Sequence, residues 1–470
     1  MDSQEFREHA HAFVDWMADY LADVERYPVR AQVEPGEIAA RLPAAPPEEA
    51  EPMARIFADF RDLIVPGMTH WQHPGFFAFF PANSSPPSVL AEMLTATLGA
   101  QCMIWQTSPA ATELETRVLE WLRRMTGLPE GFVGVIQDSA STATLCAIIT
   151  ARERATGFAA NEAGLGAVQE LTVYCSEEAH SSVEKDVKIA GLGRRSLRLI
   201  ACDDDFAMAP DALEQAIEAD LAAGRKPTCV VATLGTTGVG GFDPLRPLGE
   251  ICRRHGIWLH VDAAWAGSAL ILARERWMID GVEYVDSFVF NPHKWLFTNF
   301  DCSAYFVRDA EALTRSFEIM PEFLKTAEDD RVYNYRDWGI PLGRRFRALK
   351  LWFVIRAYGV EGLRRRISAH LEAARELADE VAAAADFEVL APVKLALVCF
   401  RYRPDGVEEG ALDGLNQRLL ERLNASGALY LTHTRVRGAY AIRLVVGQTT
   451  TRREHVTAAW RRIQETARAL

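Results

Sequence analysis

Several things are scarce in this 470-residue chain, and each scarcity excludes a class of protein. No uninterrupted apolar stretch is long enough to span a bilayer, so no membrane partner is expected. Positive charge is in deficit, with 51 Lys and Arg against 64 Asp and Glu and a net charge of −13. Such a surface repels nucleic acid and anionic lipid, although a local basic site for a phosphate or carboxylate stays open. The eight cysteines, Cys102, Cys146, Cys175, Cys202, Cys229, Cys252, Cys302 and Cys399, stand singly, with no C-x-x-C spacing and mostly apolar neighbours. They read as small core residues of a reducing compartment, with no structural zinc and no metal site. Residues 1–30 mix Glu5, Glu8, Asp15, Asp19 and Asp23 with Phe6, Phe13, Met17 and Leu21, an acidic amphipathic helix without the basic start and apolar run of a signal peptide. The expected location is the cytoplasm. There is no internal repeat, and the alanine-rich 380–385 is the sole biased segment.

What is present is a composition of 49% hydrophobic and 24% charged residues, enough for a large core and an accessory domain. Residues 1–85 are helical in pattern and broken by proline turns at Pro28, Pro35, Pro43 and Pro46-Pro47, as an arm or packing segment would be. From 86 to 350 short apolar strands alternate with amphipathic helices: strands at 131–136, 171–175, 229–234, 257–261, 287–290 and 302–307, with helices over about 141–155 and after His180. This alternation predicts an α/β fold with a mostly parallel sheet covered by helices, whose ligands bind beyond the carboxyl ends of the strands. Residues 351–470 change pattern to a long charged helix, strands near 387–390, 395–402, 428–432 and 440–446, and helices at 412–423 and from 451, a small C-terminal α+β domain.

The residues that carry chemistry follow strand ends. Strand 257–261 runs into Asp262, and 287–290 runs into Asn291-Pro292-His293-Lys294-Trp295. A lysine amine forms a Schiff base with an aldehyde cofactor, and a carboxylate opposite keeps a pyridine nitrogen protonated; together they describe how a protein holds pyridoxal 5'-phosphate. Gln137-Asp138-Ser139-Ala140-Ser141-Thr142 lies at a strand-to-helix turn, where backbone donors and the helix field suit a phosphate. Taken alone, a hydroxyl-rich N-cap explains this segment. Asn291 and His293 stand beside Lys294, ready to complete the cradle. His180, just beyond another strand, suits stacking on a pyridine ring, against the plainer reading of a surface histidine. Thr236 and Thr237 occupy a further strand end, either as cofactor ligands or as an ordinary turn.

With these residues in view the chain resembles a known family. The segments 73–81 (HPGFFAFFP), 108–115 (SPAATELE), 260–267 (HVDAAWAG), 291–295 (NPHKW) and 340–345 (IPLGRR) are similar to those of the group II pyridoxal-phosphate-dependent amino-acid decarboxylases, above all the aromatic-L-amino-acid decarboxylases, from about Phe6 to the end. The resemblance implies the type I fold of these enzymes, like that of the aspartate aminotransferases, and a homodimer with a shared active site. It implies that Lys294 binds the cofactor covalently, Asp262 meets the pyridine nitrogen, His180 stacks on the ring, and Ser139, Ala140, Ser141, Thr237, Asn291 and His293 help hold the cofactor. It further implies that Trp71, Phe79, Phe80 and Pro81 line the substrate pocket, with Gln101 and Met103 supplied by the second chain.

Two departures from the family pattern bear on chemistry. Phe323 stands where related decarboxylases carry a loop tyrosine that donates a proton, and a lost general acid costs about 10²–10⁴ in rate. That difference resembles the aromatic acetaldehyde synthases, which release aldehyde, ammonia and hydrogen peroxide. Tyr333 or Tyr335 is positioned in sequence to substitute as donor, and simple decarboxylation to the arylalkylamine and carbon dioxide is the leading expectation. Asp138 replaces a usual glycine near the proposed phosphate, and Phe79 replaces a frequent tyrosine, which favours phenylalanine or tryptophan over catechol substrates. No arginine falls at the matched pocket positions, which disfavours glutamate.

Overall fold

The computed structural model describes residues 1–319, 328 and 331–470. The chain divides into two compact units: residues 82–371 with 391–397, and residues 1–81 with 372–390 and 398–470.

The larger unit is built on a seven-stranded sheet of β1 (Val133–Gln137), β2 (Leu171–Ser176), β3 (Leu197–Ile200), β4 (Lys226–Thr233), β5 (Trp258–Asp262), β6 (Ser287–Phe290) and β7 (Ser303–Val307), in the order β1-β7-β6-β5-β4-β2-β3. β3, β2, β4, β5 and β6 pair in parallel, and β7 runs antiparallel to both β6 and β1. Every residue of β5, β6 and β7 is buried. Helices cover both faces, so these strands read as continuous apolar runs. The sheet has the mostly parallel α/β arrangement expected from the sequence, with β7 the one antiparallel member.

The edge strand β3 was not expected from the pattern. Its Leu199 is exposed and Arg198 half-buried, so it lacks the apolar run that marks the central strands. All eight cysteines are free thiols, and all but Cys202 are fully buried.

The smaller unit carries a four-stranded sheet of β8 (Phe387–Val389), β9 (Leu397–Tyr402), β10 (Thr432–Val436) and β11 (Ala439–Val445), in the order β10-β11-β9-β8. The strand expected at 428–432 instead begins at Thr432; within the expected range Tyr430 makes an isolated bridge to Phe76. The reason is the turn at 437–438, where Arg437 and Gly438 both take positive φ and fix a two-residue hairpin between β10 and β11. The helix Ser3–Ala22 opens with a capping box in which Asp2 accepts from Glu5 N at 2.9 Å and Glu5 accepts from Asp2 N at 2.8 Å.

Candidate active site

The carboxyl ends of β1, β2, β4, β5 and β6 bring the predicted residues of the larger unit to one edge of the sheet. Asp262 closes β5, registered against Thr233 of β4 and Val289 of β6, and is buried. Its Oδ1 accepts from Ala264 N at 2.9 Å, which orients the carboxylate through the backbone. His260 lies on the same face two residues earlier. Its ring contacts Thr144 Oγ1 at 3.1 Å and Ser287 Oγ at 2.9 Å, and burial pushes its pKa down to about 4, so it is a neutral, fully hydrogen-bonded support beneath Asp262.

Lys294 sits in a single helical turn, Pro292–Trp295, directly after β6. Asn291 fixes that turn: its N–H donates to Ala264 O, and its carbonyl accepts from Lys294 N, both at 2.8 Å. Removal from water lowers the Lys294 pKa, with Asp262 opposing. A lysine whose neutral amine is made accessible in this way is a competent nucleophile toward an aldehyde. Trp295 anchors the turn from behind, stacked 4.8 Å from Trp265 and donating from Nε1 to His370 at 3.0 Å. Gly267 is required here, because a Cβ would fall 2.4 Å from Phe290 Cβ.

His180 is exposed in the turn after β2, its Nδ1 2.9 Å from Ser182 Oγ. Loss of surrounding water lowers its pKa and Lys294 acts in the same direction, while Asp262 opposes, so all three groups share one electrostatic neighbourhood. At the end of β1, Ser139 caps the helix Ala140–Thr156, accepting from Thr142 N at 3.2 Å. The first-turn N–H groups of Ala140 and Ser141 have no partner within the helix and are the natural donors for a phosphate. Asp138 accepts from Ser139 Oγ at 3.1 Å, which draws its carboxylate into the cap.

Thr236 is fully engaged in the turn after β4, its Oγ1 accepting from Gly241 N at 2.8 Å, and Thr237 beside it is half-buried. His293 turns into the protein: its Nδ1 accepts from Cys302 N at 2.9 Å, and burial holds its pKa down near about 3. It is neutral and adds no positive charge. The buried side-chain amide of Asn291 leaves its Oδ1 without a hydrogen-bond partner among the described residues, and turned over by 180° it presents the Nδ2 donors that a phosphate needs at this strand end. These features together fit pyridoxal phosphate: a nucleophilic lysine, an oriented carboxylate, a helix N-terminus and an open amide.

Asn83 escaped the sequence reading. Its Nδ2 donates to Lys294 O at 2.6 Å and its N–H to His293 O at 2.8 Å, so it clamps the lysine turn. A polar residue in the loop segment Pro81-Ala82-Asn83-Ser84 gives no periodicity to detect. Gln101 and Met103, expected to serve a second chain's pocket, meet the segment 336–344 of their own chain: Gln101 Oε1 accepts from Arg344 N at 2.7 Å, and Met103 O accepts from Arg336 N at 2.8 Å. Arg344 in turn pairs with buried Glu115 at 2.6 Å, and Glu115 accepts from Ile136 N at 2.8 Å. The sequence segments 108–115 and 340–345 thus meet at the end of β1. Phe323 lies outside the described residues. Among those that are described, no metal-binding cluster and no membrane-spanning helix occurs.

In the smaller unit Trp71, Phe76, Phe79 and Tyr430 form an aromatic ledge. Trp71 stacks 5.9 Å from Phe79, and Tyr430 meets Phe79 edge-on at 5.9 Å. Phe79 holds φ at 53° and is 45% exposed, an unusual backbone for a phenylalanine that turns a large apolar ring outward. Phe80 and Pro81 are buried, with Arg443 over the Phe80 ring at 5.6 Å.

The pyridoxal-dependent decarboxylase conserved domain matches residues 35–403. The chain is 44% identical over 477 residues to a phenylacetaldehyde synthase of Arabidopsis thaliana, covering 99% of this chain and 96% of the relative. It is also 44% identical over 481 residues to an aromatic-L-amino-acid decarboxylase of Mus musculus, covering 99% and 98%. A crystal structure of Oryza sativa TDC with PLP and tryptamine superposes with a TM-score of 0.97 at 38% identity, covering 100% of this chain and 99% of the other. The protein therefore belongs to the pyridoxal-dependent decarboxylases, as a pyridoxal-phosphate-dependent carboxy-lyase of the branch that holds aromatic amino-acid decarboxylases and acetaldehyde synthases.

Proposed function

We propose that the enzyme decarboxylates aromatic L-amino acids of the phenylalanine, tryptophan or tyrosine type to the arylalkylamine and carbon dioxide. The observation that carries the reading is the pairing of Lys294 and Asp262 at adjacent strand ends, electrostatically coupled to each other and to His180. Bound covalently, the cofactor supplies an electron sink for the pair released when the carboxylate leaves.

The protein's own residues do the rest. Lys294 attaches the cofactor, and Asp262 holds a proton on its ring nitrogen by a charge-assisted hydrogen bond. His180 covers the ring, while Ala140, Ser141 and Asn291 hold the phosphate through neutral donors, with Ser139, Thr237 and His293 shaping the surround. Trp71, Phe79, Phe80 and Pro81 form the aromatic wall for the substrate side chain, with Gln101 and Met103 contributed across a homodimer packed through residues 1–85. In this reading a cofactor-binding domain of 86–350 and a small C-terminal domain of 351–470 follow that segment, in a cytoplasmic enzyme.

A second reading rests on Phe323, which carries no exchangeable proton, and on the likeness to a phenylacetaldehyde synthase. In it the amino acid, dioxygen and water give the aryl acetaldehyde, carbon dioxide, ammonia and hydrogen peroxide; dioxygen is reduced by two electrons and the α-carbon is oxidised. Incubation with phenylalanine, tryptophan or tyrosine, with amine and peroxide measured together, separates the two. Amine without peroxide is the expected result, and stoichiometric peroxide assigns the oxidative reaction. In that second case Phe323→Tyr raises amine output, by up to about 10²–10⁴ relative to aldehyde if the tyrosine restores the missing acid.

A further inference from the structure

The helix Ser182–Ile189 turns a stripe of Ser182, Val183, Asp186 and Val187 into the core. Three of these are small or apolar, and the fourth is a carboxylic acid only 2% exposed. This helix packs against Ala140–Thr156, which covers the face of the sheet that carries His260 and Asp262. Asp186 Oδ2 is buried with no hydrogen-bond partner among the described residues. Buried carboxyl oxygens ordinarily pair or hydrogen-bond, and one left bare costs stability that an apolar residue at the same place would not. The group that its carboxyl feels most among its neighbours is the Asp262 carboxylate.

We propose that Asp186 is a second carboxyl of the ring-nitrogen site, a positioning residue that acts through Asp262 and adjusts how firmly a proton is held on the cofactor's pyridine nitrogen. This rests on the assignment of Asp262 to that nitrogen. Burial and the Asp262 charge raise the Asp186 pKa to about 7, with exposed Lys185 on its own helix opposing. The other titratable groups around it are Cys146 of the covering helix, kept as a thiol by burial, and, around Asp262, the neutral imidazole of His260 together with His180 and Lys294, whose pKa values burial lowers. Asp186 is a group poised to change charge near neutrality. Below about pH 7 it is a neutral acid; above, a second negative charge joins Asp262 and favours the protonated ring.

The test is a pH titration of the cofactor's visible absorbance and of kcat in the holoenzyme, for wild type, Asp186→Asn, Asp186→Ala and, separately, Asp262→Asn. The wild-type and Asp186→Asn curves are expected to coincide at acid pH and to separate above about pH 7, the variant's alkaline limb moving down by about one unit, with KM unchanged within about twofold. Thermal unfolding of the same proteins gives an independent reading. A carboxyl whose folded pKa is raised loses stability as pH climbs from about 4 to about 7, and both Asp186 variants should remove that slope. Superimposable spectral titrations, or an unchanged stability slope, overturn the proposal. If Asp262→Asn alters the band while the Asp186 variants do not, Asp186 is excluded and the ring-nitrogen assignment stands. If Asp262→Asn also matches wild type, both fall.

Discussion

The two units of this molecule make their candidate binding surfaces in opposite ways. At the sheet edge of the larger unit, polar groups are aimed by hydrogen bonds: Asp262 by Ala264 N, the Lys294 turn by Asn291 and the Asn83 amide, His260 by the hydroxyls of Thr144 and Ser287. In the smaller unit, Trp71, Phe79 and Tyr430 hold one another by ring contact, and the backbone yields to them, as the positive φ of Phe79 shows. Directional bonds fix where charge and protons go; apolar rings fix shape and size. The difference teaches that substitutions at the sheet edge should strike turnover, while substitutions on the aromatic ledge should strike substrate preference.

Lys294→Ala is the most severe way to break the first half of that contrast. It removes the group assigned to attach the cofactor covalently, so turnover should fall to background, and the visible absorbance that borohydride removes from the wild-type holoenzyme should be missing. Retained turnover with an unaltered spectrum would contradict the assignment. Asp262→Asn follows, keeping the shape and the contact from Ala264 N but not the charge. Loss of one preorganised electrostatic partner of this kind costs on the order of 10²–10³ in kcat, and KM should move much less. A fall confined to KM would place Asp262 in substrate binding instead.

Much of this was legible in the sequence, for identifiable reasons. Central parallel strands buried on both faces announce themselves as apolar runs, and their ends locate Asp262, Lys294, His180 and Ser139 without any knowledge of contacts. The edge strand β3 and the true start of β10 were not legible, because half-exposed strands lose the run and turn geometry overrides pattern. Nor was Asn83, whose role depends on a fold that carries it more than two hundred residues along the chain to the Lys294 turn. Asp186 did leave a trace: a carboxylate standing between Val183 and Val187 breaks the apolar stripe of an otherwise ordinary helix. His293 shows a different limit: a motif places a residue near a site, but the hydrogen bond that orients it, here from Cys302 N, depends on a strand that comes later in the chain.

Both units also hold a buried histidine with a depressed pKa, His260 in the larger and His73 in the smaller, each pushed down to about 4 by burial. A group whose folded pKa lies below its unfolded value of about 6.5 gives stability that is present above that value and is lost as pH falls toward about 4. Acid unfolding should therefore steepen between about pH 6.5 and 4. His260→Gln should flatten that slope, and it should cost about 1–3 kcal/mol at neutral pH by leaving Thr144 or Ser287 without its partner. His73→Gln should flatten the slope by a similar amount while leaving kcat closer to wild type, because His73 Nδ1 accepts from Gly75 N in the turn before the ledge, whereas His260 lies under the carboxylate. Chemical denaturation at several pH values, paired with kcat, checks both.

The smallest expected effect belongs to the ledge itself. Phe79→Tyr keeps the ring, and with it the contacts to Trp71 and Tyr430, each worth about 0.5–1.5 kcal/mol. What it adds is a hydroxyl on a side chain that is 45% exposed, so folding stability should hardly change. If the ledge forms the wall for the substrate's side chain, a polar group there should lower KM for tyrosine relative to phenylalanine by a factor of up to about ten, the scale of one good hydrogen bond, while kcat for each stays within about twofold. Ratios of kcat/KM measured with the two substrates in competition read this directly. An unchanged ratio would remove Phe79 from the wall and leave its strained backbone as a matter of packing alone, whereas a matched fall in kcat for both substrates would show that shape and proton placement are not divided between the units as drawn here.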